Sequence, residues 1–80
     1  MGGKAEGEFT VEQWDDAGRK CIEIMAWAGN LLVARAAFDV ALTQRPGGYV
    51  ILCHGARIIA KSPLAERLLR EQAIRGRVGP

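Results

Sequence analysis

The stretch that decides the fold is Phe9-Thr-Val-Glu-Gln-Trp-Asp-Asp-Ala-Gly-Arg-Lys-Cys-Ile-Glu-Ile-Met-Ala-Trp-Ala-Gly-Asn30. Its opening carries the marks of a helix N-terminus. Thr10 is a suitable N-cap with Gln13 three residues on, which makes a capping box, and Phe9 and Trp14 are spaced as a hydrophobic staple. Glu12, Asp15 and Asp16 set negative charge at the positive end of the helix dipole. On this reading helical character runs to about Gln44, where Arg45 and Pro46-Gly47-Gly48 stop it. One helix from Val11 to Gln44 would be about 50 Å long, whereas a chain of 80 residues folds to a globule about 30 Å across. The helix therefore either stays long and packs on a second copy, or breaks at Gly29-Asn30 into a helical hairpin. A break is favoured, since Gly29 suits a left-handed C-terminal position and Asn30 can cap the next helix.

The apolar pattern around this stretch is too wide for one face. Ala17, Ile24, Leu31 and Phe38 recur every seven residues, with Trp27, Ala34 and Ala41 beside them, and Ile22, Met25, Leu32 and Ala36 form a second side. A helix apolar on two sides is central in a core or shared with a partner. The set Trp14-x-x-Ala17-Gly18-x-x-Cys21, Gly29 and Ala34-x-x-x-Phe38-x-x-Ala41-x-x-x-x-Pro46 resembles a single tetratricopeptide repeat, with its first-helix part four residues early. The match covers less than half of the chain and occurs once, while arrays of such repeats need three or more units. The resemblance implies a helical hairpin; a peptide-binding groove does not follow from it.

Downstream, Tyr49-Val-Ile-Leu-Cys-His-Gly-Ala-Arg-Ile-Ile-Ala-Lys61 is rich in β-branched residues and has His54-Gly55 at its centre. This predicts a two-stranded antiparallel hairpin with a tight turn at His54-Gly55. Cys53 then faces Ala56, Ile51 faces Ile58 and Tyr49 faces Ala60, all on one face, with Val50, Leu52, Arg57, Ile59 and Lys61 on the other. Ser62-Pro63 begins a last helix, with serine as N-cap and proline in the first turn, running to Arg75 and fraying at Gly76. The expected class is α+β: one domain over residues 9–76, a flexible tail over 1–8 and a loose tail over 77–80. A lone hairpin is marginal in water and exposes its edges, so a homodimer partner is expected to complete the sheet.

Composition narrows the functions. The chain is 49% apolar, 25% charged and carries a net charge of +2, a globular profile that does not demand nucleic acid or a membrane as partner. The longest uncharged stretch, Ile24 to Ala34, is far short of the roughly 18 residues of a membrane span. The opening Met-Gly-Gly-Lys-Ala-Glu-Gly-Glu has no apolar core of a secretory signal. Two cysteines without close spacing fit buried thiols in a reducing cytoplasm, although a Cys21–Cys53 bridge stays open. Thus cytoplasmic localisation is expected, with no cofactor and no metal.

Candidate chemistry is sparse. His54 beside Cys53 could make a nucleophilic pair, but neighbouring strand residues point to opposite faces, and histidine is at home in a turn. Cys21, Cys53 and His54 lack the spacing of a zinc site. Glu23 reads as a surface carboxylate within reach of Arg19 and Lys20, and Arg35 and Asp39 read as an i,i+4 pair. Gly47-Gly48 follows a helix and precedes a strand, the reverse of a phosphate-cradling loop. Residues 1–48 carry a net −2 and residues 49–80 a net +4. Arg57, Lys61, Arg67, Arg70 and Arg77 therefore form a candidate nucleic-acid patch. Against it, Glu66–Arg70, Arg67–Glu71 and Glu71–Arg75 are i,i+4 pairs typical of a solvated helix face. The leading expectation is a small non-enzymatic homodimerising interaction module, with Leu52, Ile59, Val50, Trp27, Leu31 and Phe38 as candidate dimer contacts. The alternative is a DNA-associated regulator using the C-terminal arginines.

Overall fold

Asp15 to Lys20 form a turn rather than a turn of helix, and the whole N-terminal third follows from that. The Asp15 backbone accepts from the Gly18 N–H at 2.8 Å and donates to the Lys20 carbonyl at 2.9 Å. Its carboxylate accepts from the Arg19 N–H at 2.9 Å. Gly18 sits at φ +71, a conformation that glycine adopts without steric cost. The chain doubles back there, and the residues on either side pair as strands.

The structure, a computed structural model, describes residues 8–78, with side-chain surroundings through Arg75. The elements are β1 (Phe9–Trp14), β2 (Cys21–Ala28), α1 (Leu31–Gln44), β3 (Tyr49–His54), β4 (Arg57–Lys61) and α2 (Pro63–Val78). All four strands join one antiparallel sheet in the order β2-β1-β3-β4. The class α+β stands. The N-terminal helix, long or broken, and the helical hairpin do not, and neither does a two-stranded sheet awaiting a partner. The second pair of strands comes from residues 9–28 of the same chain.

Three physical reasons outweigh the helix signals. The segment is dense in β-branched and aromatic residues, which suit a pleated half-buried surface. β1 is central, laddered to β2 on one side and to β3 on the other in an unbroken register from Phe9↔His54 to Trp14↔Tyr49. The residues that mimic a capping box, Thr10 and Gln13, both lie on strand β1, where Thr10 is buried on the same face as Glu12. The Phe9–Trp14 pair marks the two ends of β1.

The boundary at Gly29-Asn30 holds, though a strand precedes it. Asn30 is the N-cap of α1, its Oδ1 accepting from the Val33 N–H at 2.9 Å, and Gly29 is not left-handed. β3 is flanked by helices on both sides, which explains its continuous apolar run. Val50 and Leu52 join Val11, Ala34, Phe38 and Ala41 in the core beneath α1. Tyr49, Ile51 and Cys53 pack with Ala65, Leu64 and Leu68 of α2 on the opposite face. Ser62 pins α2 to the start of β3: its Oγ donates to the Gly48 carbonyl at 2.8 Å and accepts from the Val50 N–H at 3.0 Å and the Ala65 N–H at 3.3 Å.

The second hairpin also shifts. Its turn is Gly55-Ala56, since His54 pairs with Arg57, and a bulge follows, so that Cys53 faces Ile58 and Leu52 faces Ala60. His54 is therefore the last residue of β3, not a turn residue. Its ring stacks on Phe9, with centroids 4.4 Å apart.

Candidate interaction surface

α1 covers the sheet with Ala34, Phe38 and Ala41. On a helix of 3.6 residues per turn, Val33, Ala36 and Val40 then fall on the outer flank nearest β2, with Leu32 beside them. All four are exposed, Leu32 at 83%, Val33 at 56% and Val40 at 54%. Met25 and Ala26 of β2 continue this surface, and a shallow groove of about 420 Å³ runs between them and Val33, Ala37 and Val40. The only charges on α1 are Arg35 and Asp39. Surface helices of folded domains ordinarily turn a polar face outward, so this outer face is apolar beyond what a solvated helix needs.

The candidate contacts divide sharply. Val50 and Leu52 are fully buried under α1, and Phe38 is buried on the inner face of α1 in the same cluster, while Ile59 is half-buried against it. These four belong to the chain's own core, because the hairpin face once left open is closed by α1. Trp27 is 57% exposed and Leu31 is 39% exposed. Trp27 pairs with Thr10 and so lies on the sheet face opposite α1. Val33 and Val40 were missed as contacts. Their signal was present in the spacing with Ala36, which belonged to the second apolar side noted above.

The sheet edges resist pairing with another copy. β2 carries two register shifts against β1, and β4 carries a bulge and the exposed charges Arg57 and Lys61. Bulges and edge charges are the usual guards against strand addition.

The chemical candidates do not converge. Cys53 pairs with Thr10 on β1 and Cys21 with Trp14, four residues apart along β1, about 13 Å. The thiols form no disulfide, and Cys21 is equally remote from His54, which lies beyond Cys53. Among the described residues no group of three or more His, Cys, Asp or Glu could hold a metal ion. Glu23 pairs with Arg45 at 3.3 Å rather than with Arg19 or Lys20, and Arg45 also donates to Gln13 at 3.0 Å, tying the end of α1 to β1 and β2.

Sequence reading missed a polar row on β1. The Glu12 carboxylate accepts from Thr10 Oγ1 at 2.8 Å and from Trp14 Nε1 at 3.0 Å. The signal was the period-two spacing Thr10-x-Glu12-x-Trp14. Glu12 and Trp14 border a cavity of about 240 Å³ with Ile51, Cys53, Ala56 and Ile58. Nearby, burial pushes the Tyr49 phenol above its ordinary pKa, and Cys53 adds to the shift.

Arg57, Lys61, Arg67 and Arg70 are all exposed. Arg67 and Arg70 lie on the outer face of α2 between Glu66 and Glu71, and Arg70 pairs with Glu66 at 3.7 Å. The surroundings of Arg77 lie outside the described residues. The cavity between α2 and the β1–β2 turn brings Asp16 and Glu71 together with Arg19 and Arg75, balanced in charge. Among the described residues, no helix is long and apolar enough to cross a membrane.

Comparison with family models, curated proteins and solved structures finds no match.

Proposed function

We propose that this chain is a small non-enzymatic interaction module that self-associates through the outer face of α1 and the adjoining part of β2. One observation carries the reading: Leu32, Val33, Ala36 and Val40 are exposed together on a helix that has only two charges. The separation of Cys21 from Cys53 and His54 supports a non-catalytic role. The alternation of acids and bases around α2 favours this surface over the arginines. Cytoplasmic placement, argued from the cysteine usage, belongs to the same proposal.

The test is analytical ultracentrifugation of the wild-type chain and of Val33→Glu with Val40→Glu. Both side chains point away from the core, so the double variant keeps its fold, which circular dichroism checks. A concentration-dependent dimer that the double variant abolishes is the expected result. A wild-type chain that stays monomeric up to millimolar concentration, or a dimer unaffected by the two charges, overturns the proposal.

A further inference from the structure

The two helices hold the sheet unequally. α1 is anchored along its length: Ala34, Phe38 and Ala41 are buried, Asn30 caps its start, and Arg45 beyond its end donates to Gln13 and Glu23. α2 is anchored only at its start. Leu64, Ala65 and Leu68 pack with Tyr49, Ile51 and Cys53, and Ser62 Oγ ties the first turn to Gly48 and Val50. Residues 70–75 are all exposed, Ile74 included. Among the described residues, no side-chain hydrogen bond or ion pair joins residues 63–75 to the sheet, and the Arg70–Glu66 pair lies within the helix.

The sheet and α1 without α2 make a small fold with its own core. The cluster beneath α1, around Val11, Phe38, Val50 and Leu52, includes no residue of α2. An antiparallel sheet with one covered face and one wet face is an ordinary arrangement. Folded proteins open in cooperative units at free energies below that of global unfolding. A helix as short as α2 is marginal by itself in water, so it melts once Leu64 and Leu68 let go.

We infer that α2 is a displaceable strap. It lifts and melts as one unit while the sheet and α1 stay folded, and so switches Tyr49 and Ile51 between a masked and an open state. The inference is independent of self-association, because α2 and the outer face of α1 lie on opposite sides of the sheet. Hydrogen exchange of the full-length chain, followed by NMR, tests it. The Leu69 and Arg70 amides are expected to share one protection factor, roughly a hundredfold or more below that of the Val11 and Leu52 amides. Asn30→Ala removes only the cap of α1. It speeds exchange at Val11 and Leu52 by about fivefold and leaves Leu69 and Arg70 unchanged. Leu68→Ala speeds all four by roughly tenfold, because the packing of Leu68 is lost in the open and in the unfolded chain alike. Equal protection of helix and sheet amides, or a fivefold response of Leu69 and Arg70 to Asn30→Ala, means that the chain opens only as a whole and overturns the strap. Leu69 and Arg70 rates that ignore Leu68→Ala reduce the opening to fraying of the helix end and overturn it as well.

Discussion

Replacing Gly18 by alanine tests the N-terminal hairpin directly, because the two readings of residues 9–28 predict opposite signs. In a helix, glycine to alanine stabilises by about 1 kcal/mol. In the structure Gly18 has φ +71, and an added Cβ lies 2.5 Å from Tyr49 Cε2 and 2.8 Å from Tyr49 Cζ. The left-handed conformation costs an alanine about 1–2 kcal/mol, offset in part by the reduced freedom of the unfolded chain, about 0.4–1 kcal/mol. The approach to a buried ring adds an overpacking term of about 1–3 kcal/mol, because Tyr49 is only 5% exposed and has little room to withdraw. The net expectation is a loss of about 2–4 kcal/mol. Gly47→Ala supplies the control: its φ is +77 and nothing lies within 4 Å of the added Cβ, so it carries the backbone cost alone, about 1 kcal/mol or less. Urea unfolding followed by tryptophan fluorescence measures both. A Gly18→Ala chain as stable as the Gly47→Ala chain removes the contact with Tyr49 from the account, and one more stable than wild type refutes the hairpin.

Further expectations concern the core, the cap and pH. Leu52 is 0% exposed, so Leu52→Ala lowers stability by about 2–5 kcal/mol; Leu52→Lys unfolds the chain instead of releasing folded monomers, which circular dichroism separates. Asn30→Ala removes the acceptor for the Val33 N–H and costs about 1 kcal/mol by chemical denaturation. Tyr49 has its folded-state pKa raised above its ordinary 10.0 by burial, then by Cys53. Its contribution is therefore fully present below pH 10 and is lost as pH rises toward the raised value. Tyr49 is the single tyrosine, so its ionisation can be followed by tyrosinate absorbance, and Tyr49→Phe flattens this part of the alkaline stability profile. Asp15 runs the other way. Its carboxylate accepts the Arg19 N–H, which holds its pKa below the ordinary 3.8. Stability from this turn is present above that value and is lost as pH falls through the lowered one, a loss that Asp15→Ala removes from an acid titration of stability.

Legibility in the sequence tracked the range of the interactions. The Asn30 cap, the stop after Gln44 and the Ser62-Pro63 start of α2 are written in a few adjacent residues and were readable. So was the apolar run of β3. The strands β1 and β2 were not, because their stability comes from pairing with residues far along the chain: Phe9 meets His54 and Trp14 meets Tyr49. Thr10, Glu12 and Gln13 also serve equally well as helix caps or as alternating strand residues, and local pattern alone does not choose between them. One missed hairpin then propagated to the site. With no N-terminal strands to build the rest of the sheet, and with α1 taken as part of a longer helix, the covered Val50 and Leu52 looked like free surface. The exposed Val33 and Val40 were assigned to neither apolar side of that helix. The bulge after Gly55-Ala56 was equally unreadable, since it depends on how β4 settles against β3.

The central place of β1 has a consequence for synthesis. Its first neighbour, β2, follows within a few residues, but its second, β3, begins at Tyr49. On a ribosome, where chains emerge at about 5–20 residues per second, the ladder groups on that side of β1 stay open until the second half of the protein has left the exit tunnel. A nascent chain that has released β1 and β2 but not yet β3 therefore presents an unpaired inner strand, the form most exposed to capture by chaperones or by another unfinished copy.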